Sequence, residues 1–242
     1  AVATALFFVL SLAATMLAGC AGGAPTAHGE VQGSRFNADE FLQSEGNRLT
    51  QAIMQANLAS LQLLADKLYR RNPAEWRKSA ATREEALQKL GASVLGGQPW
   101  LPLDGQRDVA ALSTALSPAF TGDRVAAFIA ACADTIVTAQ GGKREFYYLD
   151  GVDPQHVYNA ARNMETALWI LNTRHGPAGR PLLLANEIAG DTRNLSFERE
   201  FGKIIGRLDL LAGYMTERYR RAGINYVQGL VAAPFLAFLP VK

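Results

Sequence analysis

The stretch "DRVAAFIAACADTIVTAQGG", residues 123–142, decides the fold. Between Arg124 and Asp134 it carries no charge, and it is rich in alanine. Asp123 stands where a helix N-cap belongs, and Gly141-Gly142 stands where a helix stops. A helix that is apolar nearly all round must be covered by other helices, and its small side chains let those neighbours come close. The segment therefore predicts a central helix from about Asp123 to Gln140, inside an all-α multi-helix bundle.

The flanking sequence supplies the helices that would cover it. Leu42, Leu49, Ile53, Leu61, Leu64 and Leu68 keep to one helical stripe, which predicts a long helix over about 38–71. Asn72-Pro73-Ala74-Glu75 reads as a fresh start, with Asn72 as the cap and Pro73 at the first helical position. Thr82-Arg83-Glu84-Glu85 repeats the capping-box spacing before "ALQKLGASVL". A loop rich in Gly and Pro follows, containing Trp100, which would cover the bundle end or meet a partner. A further helix runs through "RDVAALSTAL" towards Pro118.

Beyond the central helix, "REFYYLD" (144–150) and "RPLLLAN" (180–186) read as extended pieces that a minor two-stranded ribbon would join. Between them, Asp153-Pro154 opens a helix burying Val157, Met164, Leu168 and Leu171, with Trp169 of "ALWIL" expected in the core. Phe201, Ile205, Leu208, Leu211, Met215 and Tyr219 mark a last long helix over about 196–221. The tail "YVQGLVAAPFLAFLPVK" (226–242) is apolar but interrupted by Pro234 and Pro240. It reads as a separate helix buried on the core, with an apolar surface for a partner or a lipid as the rival. The resemblance between "LQLLADKLYRR" and "LDLLAGYMTERYRR" needs a three-residue insertion to align and does not establish duplication.

The first charge in the chain is Glu30. Before it, "ALFFVLSLAATML" (5–17) has the length of a signal-peptide apolar core, followed by Leu17-Ala18-Gly19-Cys20. This motif resembles the lipobox of bacterial lipoproteins. The resemblance implies that residues 1–19 are a cleaved signal peptide and that Cys20 carries a covalent lipid. A signal peptide opens on Met and a basic segment, so a sequence opening on Ala1 reads as clipped at its start. A transmembrane anchor is the rival, weakened by Gly22, Gly23, Pro25 and by Thr4, Ser11 and Thr15 within the run. Residue 21 is Ala rather than the Asp that favours inner-membrane retention in enterobacterial lipoproteins. The resemblance therefore implies the periplasmic face of the outer membrane. Residues 20–35 then form the lipidated cysteine and a flexible tether, and 36–242 a single α-helical periplasmic domain. The domain as a whole is similar to small helical envelope lipoproteins of Gram-negative bacteria. With Cys20 lipidated, Cys132 has no disulfide partner and reads as an inert core residue.

Composition narrows the function classes. Apolar residues make up 49% and charged residues 19%, enough for a packed core, and a formal net charge of +2 gives no footprint for nucleic acid. Three histidines stand apart, with no spaced Cys/His set for zinc. No nucleophile elbow, Walker A loop or dinucleotide fingerprint occurs. No cofactor beyond the lipid on Cys20 is expected.

The richest polar stretch is "KREFYYLDGVDPQHVYNAARNMETALW" (143–169). On a helix starting near Asp153, His156, Asn159 and Asn163 share one face, and Tyr158, Arg162 and Glu165 another. Asp153, His156, Asn159, Arg162 and Asn163 are thus the candidate binding face. The plainer reading is a solvated face capped by Asp153, and Asp150 and Asp153 do not follow a calcium-loop pattern. The chain is expected to be no enzyme. It reads as a membrane-anchored lipoprotein with a structural or interaction role, an accessory subunit or scaffold with an envelope protein partner. The alternative is a periplasmic carrier of an apolar ligand such as a lipid. A third class is an enzyme with a discontinuous site.

Overall fold

A computed structural model describes residues 25, 26, 29, 30 and 43–236, apart from 99, 101, 102, 104, 148, 149, 177, 178, 190 and 191. The chain divides into two units, Ala1–Leu42 and Gln43–Lys242. Of the first, β1 (Pro25–Thr26) and β2 (Gly29–Glu30) pair antiparallel. The rest of that unit, including Cys20, most of the expected tether and Leu42, lies outside the described residues.

The second unit is an all-α bundle, with seven helices and one short ribbon among its described residues. In order they are α1 (Glu45–Arg71), α2 (Pro73–Trp76), α3 (Arg83–Val94), α4 (Asp108–Ala115), α5 (Arg124–Ala139), α6 (Pro154–Thr173), β3 (Glu187–Ala189), β4 (Thr192–Asn194) and α7 (Ser196–Leu236). The uncharged, alanine-rich segment is the hub. α5 packs against α1, α2, α3, α4 and α6, while α7 packs on α6 and α1. Val125, Phe128, Ile129, Cys132 and Ile136 of α5 are fully enclosed, and the Phe128 and Phe201 rings tilt against each other 6.2 Å apart.

Local chemistry fixes the ends of α5. The Asp123 carboxylate accepts from the Ala126 N–H at 3.0 Å and caps the helix. It also accepts from the Tyr69 hydroxyl at 2.8 Å and the Ser79 hydroxyl at 2.6 Å, which ties α5 to α1 and to the turn after α2. At the other end, the Gly142 N–H donates to the Val137 carbonyl (2.9 Å) and the Gly141 N–H to Thr138 (3.0 Å). Both glycines take positive φ, 85° for Gly141 and 73° for Gly142, as a helix stop of this kind requires. Arg124 at the first turn is buried, and its guanidinium donates to the carbonyls of Ala115, Ser117 and Phe120, so a buried cation closes the 115–120 turn.

Four expectations are corrected. Asn72 holds the N-cap position of α2, with Pro73 following it, but its side chain makes no cap hydrogen bond. Its amide donates to the carbonyls of Leu68 (2.8 Å) and Leu184 (3.0 Å), and its oxygen accepts from the Leu184 N–H (2.8 Å), so it clamps the 184 segment to the end of α1. The ribbon does not join 144–150 to 180–186. Among the described residues it is β3 with β4, in register Glu187↔Asn194 and Ala189↔Thr192, and an isolated bridge joins Pro181 to His175. Trp169 is 65% exposed, because the helical phase that buries Ala161, Met164 and Leu171 turns position 169 outward. Finally, α7 does not stop at 221. It continues to Leu236, and Tyr226, Val227 and Gln228, the described side chains of the expected buried tail, are exposed.

Candidate functional site

The candidate face on α6 is displayed but not gathered. Asp153 caps the helix, its carboxylate accepting from the Gln155 N–H at 2.8 Å, and His156 Nε2 lies 4.0 Å from the same carboxylate. Asn159 accepts from the Gln155 amide at 2.9 Å, and Asn163 is half-buried one turn on. Asp153, His156 and Asn159 are exposed, so this row behaves as a solvated helix face. Arg162 is engaged elsewhere. It contacts Asp209 of α7 at 2.8 Å and Glu165 at 3.0 Å, and its guanidinium lies 4.8 Å from the Tyr158 ring centre. Desolvation alone would lower its pKa, but hydrogen bonding to Tyr158 and Asp209 together with the charges of Asp209 and Glu165 raises it, so the cation is held. Pro154, Tyr158, Arg162, Asp209, Gly213 and Thr216 line an open groove between α6 and α7.

A second place went unnoticed in the sequence apart from Trp100. A cavity of about 380 Å³ lies beside α5, where the 96–107 loop and the start of the 143–147 segment meet. Trp100, Arg107, Asp134 and Arg144 are among its lining residues, with Ala130, Ala131 and Val137 as its apolar wall. Arg107 donates from Nε (3.1 Å) and Nη2 (2.6 Å) to Asp134. The Asp134 carboxylate also accepts from the Asp108 N–H at 2.9 Å, which supports the left-handed backbone of Asp108, φ 56°. Burial, with the Asp134 charge beside it, raises the pKa of the Asp108 carboxyl, although a hydrogen bond from Thr135 acts the other way. Arg144 donates to the carbonyls of Val94 (2.6 Å) and Leu95 (3.0 Å), a cation on the negative end of α3. The four polar groups come from 100, 107, 134 and 144, with no shared period. The positive φ of Asp108, the first residue of the helical run "DVAALSTA", leaves no mark in the sequence.

Elsewhere the chemistry is quiet. Burial pushes the Cys132 thiol far up, which keeps it protonated and unreactive. The Tyr69 hydroxyl is raised by burial first and then by Asp123. Among the described residues no group of three or more His, Cys, Asp or Glu side chains stands close enough to hold a metal ion.

The third exposed feature is the end of α7. Among its described side chains the last in the core is Met215. Arg218 donates to the Ser44 hydroxyl (3.3 Å) and the Tyr219 hydroxyl donates to the Val152 carbonyl (3.0 Å), while Glu217 pairs with Arg220 and Arg221. Beyond Tyr219, every described side chain through Gln228 is exposed.

Comparison of this chain with protein-family models, with curated proteins and with solved structures finds no match.

Proposed function

We propose that the protein is a membrane-anchored lipoprotein of the cell envelope, lipidated at Cys20, whose helical domain serves a structural or protein-interaction role. The observation that carries the reading is Leu17-Ala18-Gly19-Cys20 at the end of an uncharged apolar run. The fold supports an interaction role over a carrier. Phe128, Ile129 and Ile136 of the hub helix are packed from all sides, so the interior is occupied by its own side chains. The outer membrane is the proposed address, because residue 21 is Ala.

The test is Cys20→Ser in a Gram-negative host, read by palmitate labelling and fractionation. The wild-type chain takes up label and sediments with membranes, and the variant loses both. An unlabelled wild-type chain, or a variant held in the membrane uncleaved, identifies the apolar run as an ordinary anchor and rejects the reading. Co-purification from detergent extracts yields a stoichiometric envelope protein if the domain is an accessory subunit.

A further inference from the structure

We propose that the cavity beside α5 is a binding site for a small carboxylic acid with an apolar body, held by the guanidinium of Arg144. The proposal goes beyond the envelope reading and stands whether or not Cys20 is lipidated.

The cavity has an apolar wall and a cationic edge. Ala130, Ala131 and Val137 of α5 form the wall, and Arg144 enters from the segment after α5. Its volume of about 380 Å³ lies near the lower bound of ligand pockets, about 300 Å³. That size suits one ring or a short chain with a polar head.

The head is chosen by what Arg144 still offers. A guanidinium holds five N–H groups in a fixed planar fork. Nη1 donates to the Val94 and Leu95 carbonyls at 2.6 and 3.0 Å, and Nη2 reaches the Ser93 carbonyl at 3.5 Å. All three acceptors stand at the end of α3, so they occupy the Nη1/Nη2 edge. The other edge pairs Nε–H with the second N–H of Nη2, and among the described residues no protein acceptor meets it. Two parallel N–H groups of this kind match the two oxygens of a carboxylate. Gly97, which also lines the cavity, leaves that edge room. A Cβ at residue 97 would lie 2.8 Å from Nε and 3.5 Å from Nη2, inside the space a carboxylate oxygen needs.

Charge makes the same choice. The acceptors at the end of α3 are dipoles. The one carboxylate among the described lining residues, Asp134, is already taken by Arg107 at 2.6 and 3.1 Å. Burial pulls the pKa of Arg144 down, and the Asp134 charge opposes this without cancelling it, so the cation is under-compensated in the folded chain. An anion on the open edge supplies the missing charge. Asp134 limits that anion to one negative charge, because it repels a second at close range. A carboxylate meets both conditions, whereas a phosphate dianion meets only the first.

The experiment reads the three tryptophans, Trp76, Trp100 and Trp169, in the full chain carrying ¹⁵N at the indole nitrogens. Trp100 lines the cavity, and the other two are not among its lining residues. Phenylacetate is the probe. Its titration shifts the Trp100 resonance and leaves those of Trp76 and Trp169 in place, and Trp100→Phe deletes the shifting peak and so assigns it. Phenylacetamide, of the same shape without the charge, binds at least about tenfold more weakly, and phenyl phosphate is also weaker. Arg144→Lys keeps the charge but loses the fork, which weakens phenylacetate by about tenfold. Ala130→Leu fills the apolar wall and abolishes the shift. Unmoved Trp76 and Trp169 resonances in each variant report an unchanged fold. A Trp100 resonance that stays in place at millimolar phenylacetate overturns the proposal. So does phenylacetamide or phenyl phosphate binding as tightly as phenylacetate, or an Arg144→Lys chain that binds like wild type, because the cavity then holds no carboxylate site.

Discussion

Removing the Asp123 carboxylate tests whether α5 is the hub through which the helices hold together. The side chain is 3% exposed and accepts from Ala126, Tyr69 and Ser79. Asp123→Ala removes a helix cap, costing about 1 kcal/mol. It also strands the hydroxyl of the fully buried Tyr69, costing about 1–3 kcal/mol. One effect opposes these: burial raises the pKa of Asp123, so part of the carboxylate's desolvation cost is recovered when it goes. The net loss is about 2–3 kcal/mol, which lowers Tm by about 5–10 °C for a unit of this size. Thermal and urea unfolding at neutral pH, followed by circular dichroism, measure it. A cycle with Tyr69→Phe separates the pair, because the two losses overlap and their sum exceeds the double variant's loss. An Asp123→Ala protein within about 0.5 kcal/mol of wild type, the range of ordinary surface changes, refutes the reasoning, as do strictly additive losses. The pH dependence gives the sign. Asp123 holds its proton more tightly folded than unfolded, so its contribution to stability is greatest in acid and falls as pH rises through the raised value. Asp123→Asn lacks that decline and therefore gains on wild type between acid and neutral pH.

Three further outcomes follow from the same packing. In the Cys20→Ser background, Cys132 resists thiol reagents at neutral pH and reacts once the protein is unfolded in urea. Reaction in the folded state would show that α5 is not enclosed. Arg144→Met frees the Val94 and Leu95 carbonyls and costs about 1–2 kcal/mol, discounted for the partial exposure of the guanidinium; an unchanged urea midpoint contradicts its role as the cap of α3. Asn72→Ala removes both hydrogen bonds that hold Leu184, so amide exchange at Leu184 accelerates while the amides of α5 keep their protection; equal exchange rates in the two proteins reject the clamp.

Local signals carried the elements, and tertiary choices were hidden. The uncharged run of α5, the caps at Thr82, Asp123 and Asp153, and the Gly141-Gly142 stop each act within a few residues, so the sequence displays them. Thr82 accepts from the Glu85 N–H at 3.1 Å, as its spacing predicted. Asn72 had equally good cap spacing, but a side chain beside Leu184 has a competing partner 112 residues away that no local pattern reveals. Composition points to the wrong pieces, because "FYY" and "LLL" look like strands, whereas β3 carries one β-branched apolar residue, Ile188, and β4 is polar. The better signal was the spacing: two residues, Gly190-Asp191, separate the paired Ala189 and Thr192. The cavity residues 100, 107, 134 and 144 converge only through the packing of α3, α4 and α5, which is why no motif announced them.

The end of α7 shows how an absent stop signal outweighs an apparent change of composition. The sequence turns from basic to apolar at Arg221, and that boundary suggested two helices, the second folded back onto the core. A fold-back needs a turn. Between Arg221 and Tyr226 there is only Ala222-Gly223-Ile224-Asn225, with one glycine, and a single interior glycine costs a helix about 1 kcal/mol without ending it. It also needs an unoccupied apolar face. The inner faces of α1, α6 and α7 are already committed to α5 and to each other, as Leu61, Leu64, Met164, Phe201 and Leu208 show by their full burial. With neither a turn nor a vacancy, propagation adds one hydrogen bond per residue and the helix runs on. The same absence of a docking face leaves Tyr226 and Val227 exposed to water.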